Sequence, residues 1–318
     1  MLPLKSLPAA NCLRTTVTVL ALLALASVPL WGQAFYQDIV NRLMILAIAA
    51  LSLNLVLGYG GMISFGHAAY LGIGAYCVGI PAYYEIYNGF VHFSLAIGMS
   101  ALFAFLTGLI CLRTTGVYFI MITMAFAQML FFAFVSMETY GGDDGLVIEL
   151  RSAFPNLSIL NLEANVTLYY VTFVCLLLCL YALFRMIHSR FGMVIAGAKS
   201  NDRRMQAMGF PTYRYRLTCY VISGAMCGLA GALLGNFTHF ISPEMMDWTR
   251  SGELIFMVVL GGAGSWFGPV LGAAAFLLLE EILSGITLYW QLIFGLFLIA
   301  VVRFARGGID GLLGTRGH

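Results

Sequence analysis

A chain of 318 residues that is 61% hydrophobic and only 9% charged, with a mean hydropathy of +0.92, has too little polar surface to fold as a soluble domain. A formal charge of +2 leaves no electrostatic footprint for nucleic acid, and seven scattered cysteines give neither a disulfide framework nor zinc-ligand spacing. Apolar runs of membrane-spanning length recur from end to end, so the expectation is an all-α integral membrane protein forming a single polytopic domain over residues 1–318. No metal or cofactor is expected.

Lys5 and Arg14 precede an apolar run from about Thr15 to Trp31, which is longer than the core of most secretory signals. It reads as a first span, with Ala24-Leu25-Ala26 leaving cleavage open. A polar bridge from Asp38 to Arg42 leads into a second span ending near Leu57. The glycine-dense stretch from Gly58 to Tyr76 then reads as a broken or tightly packed helix, with Gly60, Gly61 and Gly66 as candidate hinge or pathway positions. Ser64 and His67 lie within it. They are either polar groups of a pathway or side chains satisfied by a helix carbonyl or a packed neighbour.

An outside loop from Pro81 to His92 precedes a span to about Leu112, and Arg113 marks an inside turn. The span from Gly116 to Val135 carries Thr123 and Gln128, the latter a candidate pathway residue. The acidic loop beyond it resembles a divalent-cation loop in composition, but the ligand positions of a calcium loop are not filled. A sixth span covers about Val166 to Phe184.

Residues Arg185 to Arg216 gather seven basic residues between two apolar runs and make the one sizeable inside loop. Asn201 or Asp202 can N-cap a short surface helix that Gly209 closes, and Gly192 punctuates the segment earlier. Val194, Ala198, Met205 and Met208 fall on one side at helical spacing, and Lys199, Arg203 and Gln206 on another. The apolar side could hold a partner. The alternative is a solvated loop whose arginines only fix orientation.

A seventh span, Leu217 to Phe240, carries Gly224, Gly228, Gly231 and Gly235 as a packing face. After a short outside loop comes a second glycine-rich break with Gly261, Gly262, Ser265 and Gly268, which weakly echoes the first. Spans from about Pro269 to Ile286 and Tyr289 to Val302 lead to a tail with Arg303, Arg306 and Arg316. Threading about ten spans with both termini inside leaves only Arg42, Arg151 and Arg250 outside, as the positive-inside rule requires.

The chain holds no phosphate-binding glycine-lysine loop, metal-binding helix signature or nucleophile elbow, so an enzyme is not expected. With His67, Glu280 and Glu281 as the few ionisable groups in or near spans, an ion-coupled secondary transporter is the weaker reading. A permease driven by a separate ATPase docked on the inside loop fits better.

Five stretches carry a resemblance. LNLVLGYGGMISFGHAAYLGIGAY (Leu53 to Tyr76), GVYFIMITMAFAQML (Gly116 to Leu130), YGGDDGL (Tyr140 to Leu146), VVLGGAGSWFGPVLGA (Val258 to Ala273) and the inside segment Phe191 to Phe210 are similar, in order and spacing, to the LivM-type permease subunits of branched-chain amino-acid ABC importers. The resemblance implies an inner-membrane subunit surrounded by lipid and working with a second homologous permease. Two cytoplasmic ATP-binding subunits and a periplasmic substrate-binding protein complete the assembly. It also makes the inside segment the coupling site for the ATPases. Tyr140, Asp143, Met193 and Ala196 depart from the family pattern. The same family serves urea, short amides and aromatic acids, which remain alternatives to leucine, isoleucine and valine.

Overall fold

The computed structural model describes residues 8–31, 33–154, 162–287, 289–304 and 307–313, and these are helical almost throughout. Long apolar runs that must satisfy their backbone groups internally leave no other outcome short of a closed barrel. Lys5, Arg306 and Arg316, which the charge argument uses, lie outside the described residues.

The order begins with α1 (Pro8–Ser27) and α2 (Ala34–Asn54), which runs on into a wider π turn at Leu55–Tyr59. Next come α3 (His67–Tyr83) and α4 (Gly89–Cys111), the latter capped by Asn88, whose side chain accepts from the Phe90 amide at 3.0 Å. α5 (Val117–Val135) and α6 (Asn165–Ile187) lead to the short α7 (Arg190–Ser200) and α8 (Asp202–Ala207). The chain closes with α9 (Thr212–Thr238), α10 (Trp248–Gly261), α11 (Gly268–Ile286), α12 (Trp290–Phe304) and α13 (Gly308–Leu313).

Six of the described helical segments are long and apolar enough to cross a bilayer: α2 with its π turn, α4, α5, α6, α9 and α11. This is a multi-pass membrane protein. The remaining expected spans are shorter, because the glycine-rich breaks interrupt them or their apolar part is brief. α10, for example, has 14 residues and reaches about 21 Å at ~1.5 Å per residue, short of a ~30 Å hydrocarbon core.

α2 is the central element, with 78% of its apolar window buried, whereas α5 is only 17% buried. Met44, Ile45, Ile48 and Leu51 of α2 are enclosed by neighbouring helices, while Tyr118, Met121, Met129 and Phe132 of α5 point outward. α9 packs against α3 and α4 through the small-residue face that its glycine spacing predicts. A Cβ at Gly231 would lie 1.9 Å from the Leu71 carbonyl of α3, and one at Gly228 would lie 2.2 Å from Ser100 Oγ of α4. Glycine is what lets three backbones meet there.

The end of the bundle that holds the α3–α4 and α9–α10 connections is tied by a short antiparallel pair, β1 (Leu146–Val147) and β2 (Phe240–Ile241). Arg151 braces this end from within. Its Nε donates to the Asn236 carbonyl at 3.0 Å, and one Nη donates to the Leu162 carbonyl at 3.0 Å and to Asn165 Oδ1 at 2.8 Å.

Candidate functional site

At the first break, α2 loosens before it ends. The Gly60 amide donates five residues back to the Leu55 carbonyl at 3.2 Å, and Gly61 and Met62 turn back to Leu57 and Val56 at 3.1 Å each. Gly61 sits at φ +68°, in the left-handed region where a side chain would be strained. A π turn adds one residue to a helix and splays its carbonyls, so such turns often mark places that move or bind. Beyond it the chain runs non-helically to Gly66. The Phe65 amide donates to Thr123 Oγ1 of α5 at 3.2 Å, and the Gly66 amide to the buried Ser64 Oγ at 3.2 Å.

The second break turns the chain from α10 into α11. Gly262 and Gly264 take φ values of +112° and +86°, and Ser265 Oγ accepts from the Gly268 amide at 3.1 Å. The two breaks touch. Asn54, fully buried at the end of α2, donates its Nδ2 to the Ser265 carbonyl at 2.7 Å and accepts the Gly264 amide on Oδ1 at 2.9 Å. A Cβ at Gly58 would lie 2.4 Å from the Gly264 nitrogen, so the backbones themselves are in contact.

His67 opens α3 and is sealed inside the protein. Ser223 Oγ lies 2.8 Å from its Nε2 and donates its own hydrogen to the Ser52 carbonyl at 2.5 Å, so the imidazole Nε2–H is the donor to the serine. Tyr70 and Tyr220 meet the ring edge-on, with centroids at 5.5 and 6.1 Å. His67 is therefore anchored through Nε2 where α2, α3 and α9 converge, while its Nδ1 is buried without a partner among the described residues, and Ser64 is held locally by the Gly66 amide. Gln128 lies apart from both breaks. Its Nε2 donates to Asp247 Oδ1 at 2.8 Å, tying α5 to the start of α10. Partial desolvation pushes the Asp247 carboxyl up, but the Thr249 hydroxyl at 2.6 Å, the Gln128 amide and the backbone amides of Trp248 and Thr249 outweigh it and hold its pKa below the ordinary carboxylate value.

The segment from Arg185 to Arg216 holds two short helices where one was expected, joined at Asn201, whose side chain caps α8 by accepting the Arg204 amide at 3.0 Å. Gly209 ends α8 at φ +88°. The expected docking face is split: Val194 and Ala198 turn inward, Met205 is half-buried and Met208 stays exposed. Val194, Ile195 and Ala198 are buried against this chain's own membrane helices, and a Cβ on Gly197 would lie 2.8 Å from Met205 Sδ. An amphipathic pattern marks which side is apolar, and here the protein's own core takes that side. Gly192 belongs to the same packing, since a Cβ there would run into the Ile187 carbonyl at 2.2 Å. Met193, Arg203 and Met208 remain exposed.

The residue of this segment that reaches furthest is Lys199. Its Nζ donates to the Gly58 carbonyl at 2.6 Å, within the π turn. Beside it opens a cavity of ≈ 200 Å³ lined by Gly60, Gly61, Thr115, Phe119, Lys199 and Arg216. Arg216 in turn donates to the Ala198 carbonyl at 3.2 Å and lies 3.5 Å from Asp202. The site thus gathers Gly60, Gly61, Gly261, Gly262, Ser265 and Gly268 around contacts made by Asn54 and Lys199. Neither of those two stood out as a site residue in the sequence. A signal was present for both: Asn54 is an amide in an apolar helix, and Lys199 is the only lysine beyond Lys5.

The sequence profile of the family described as branched-chain amino acid transport system / permease component matches residues 35–302. High-affinity branched-chain amino acid transport system permease proteins LivM from Salmonella typhimurium and Escherichia coli are 26% identical over 298 residues, covering 86% of this chain and 69% of theirs. A probable branched-chain amino acid transport permease protein LivH from Methanocaldococcus jannaschii is 25% identical over 52% of this chain and 54% of its own length. No solved structure matches the chain.

Proposed function

The chain belongs to the family of branched-chain amino acid transport system permease components, and from that premise we propose that it forms half of the membrane pathway of an ATP-driven importer of branched-chain amino acids. A second, related permease supplies the other half in the cell inner membrane. Two cytoplasmic ATPases drive the pair, and a periplasmic binding protein delivers the substrate. The chain crosses the membrane about ten times, with both termini and α7–α8 on the cytoplasmic side, which agrees with the bias of its arginines.

The observation that carries this reading is the Lys199 contact on the Gly58 carbonyl. It joins the one sizeable basic loop directly to the point where the central helix loosens. An ATPase gripping the exposed face of α7–α8, including Met193, Arg203 and Met208, pulls on Lys199 when its nucleotide sites close. The pull reaches the π turn through Gly58, and the second break through Asn54. The permease contributes gating and no bond chemistry.

The test is uptake of labelled leucine into proteoliposomes holding the whole complex. Accumulation should require ATP and the binding protein, and should survive collapse of the proton gradient. Accumulation driven by a proton or sodium gradient without ATP would make the chain an ion-coupled carrier instead.

A further inference from the structure

Of the three arginines that the charge bias leaves on the side away from Lys199, Arg151 is buried and serves as the brace described above. Arg42 of α2 and Arg250 of α10 have a different setting. Both stand on one cavity of ≈ 210 Å³, together with Glu253, over apolar walls that include Leu46, Leu71, Leu254 and Met257. Arg42 holds Glu280 at 3.2 Å and Arg250 holds Glu253 at 2.9 Å, with Arg side chains 43% and 49% exposed. Glu280 also lies within electrostatic range of Arg250, so the two pairs form one cluster.

Ion pairs this exposed add little stability, so stability does not account for two arginines placed against the charge bias. Each gives one Nη to its glutamate and keeps further N–H donors for another acceptor. Ala68 lines this cavity and Gly60 and Gly61 line the one beside Lys199, so residues 60–68, the first break, stand between the two.

We propose that this cavity receives the substrate as a free amino-acid zwitterion, with its carboxylate on Arg42 and Arg250, its ammonium on Glu253 and an aliphatic side chain against Leu46, Leu71, Leu254 and Met257. The proposal rests on the amino-acid permease reading above and deepens it. Paired guanidinium groups bind a carboxylate with directed, charge-assisted hydrogen bonds, and Glu253 on the same cavity supplies the opposite charge. Urea and short amides carry neither charge, and an aromatic acid lacks the ammonium. At ~30 Å³ per water the volume equals about seven waters, which suits a single amino acid and not a peptide.

The experiment uses the complete importer in proteoliposomes, with the amount of complex recovered from the membrane measured alongside. Arg42→Gln and Arg250→Gln should each lower the efficiency of leucine uptake about tenfold, the loss of one charge-assisted contact. Leu46→Phe narrows the apolar wall and should shift the ratio of leucine to alanine uptake about tenfold toward alanine. A merely structural role for Leu46 would change both rates together. If the wild-type complex carries leucine and all three variants keep its efficiency and ratio, the cavity is not the substrate site, while the permease reading stands. If an arginine variant is not recovered, the Leu46→Phe ratio decides. A wild-type complex that moves no amino acid removes the permease reading and this site together.

Discussion

At the first break the chain leaves α2 through a widened turn and is held by side chains from other elements: Lys199 on the Gly58 carbonyl and Thr123 on the Phe65 amide. At the second, backbone meets backbone. A Cβ at Gly261 would lie 2.0 Å from the Gly268 carbonyl, and one at Gly272 would lie 1.9 Å from the Met257 carbonyl, so α10 and α11 close on each other with no side chain between them. Polar side chains can let go and re-form their bonds, whereas a backbone contact of that kind has only one arrangement. The second break is a clasp and the first is a link. On the proposed coupling route, movement entering at α7–α8 would change the first break and swing the α10–α11 pair as a body.

The sharpest way to break this distinction is Gly272→Leu. Added bulk meets carbonyl and amide atoms that cannot turn aside, so the hairpin must part, at or above the upper end of the ~1–3 kcal/mol typical of overpacking. The folded complex should be lost from detergent extracts. Recovery of normal amounts would show that the clasp yields. Asn54→Leu comes next. It leaves the Gly264 amide and the Ser265 carbonyl without their partner, at about 1–3 kcal/mol each. The thermal midpoint of the purified complex should fall and uptake with it, because the clasp is no longer tied to the link. An unchanged midpoint would mean that water or a neighbour replaces the amide at no cost.

The smallest effect on stability is expected from Lys199→Met, which keeps the stem and removes the ammonium. This half-exposed contact should contribute within about 1 kcal/mol to the midpoint. Leucine uptake per ATP hydrolysed should nevertheless fall about tenfold, the equivalent of ~1.4 kcal/mol of lost coupling. ATPase should still co-purify. Full coupling in this variant would place the transmission elsewhere, for example through Arg216 and the Ala198 carbonyl.

Six long spans and both breaks were legible in the sequence because hydropathy and glycine density are local properties of the chain. So were the ends of α8, since Asn201 and Gly209 cap it by bonds to residues a few positions away. What could not be read is what depends on residues far apart in the chain. Asn54 meets Ser265 across 211 residues, and no periodicity encodes that meeting. What the apolar side of α7 packs against could not be read for a related reason: Val194 and Ala198 are apolar whether they pack on a partner or on their own fold. Gln128 shares an apolar helix with Thr123, yet Thr123 reaches the first break and Gln128, further along α5, reaches Asp247.

The burial of α2 also sets a timetable for synthesis. The Ser52 carbonyl waits for a hydroxyl 171 residues downstream, and Asn54 waits for a carbonyl 211 residues downstream. At ~5–20 residues per second the ribosome needs roughly 10–40 s to deliver both. For that interval a helix carrying a bare carboxamide sits in the insertion machinery or against lipid with its eventual neighbours unmade. The nascent chain is then most open to quality-control proteases, and slowing translation between α2 and α9 should lower the yield of permease more than slowing it after α11.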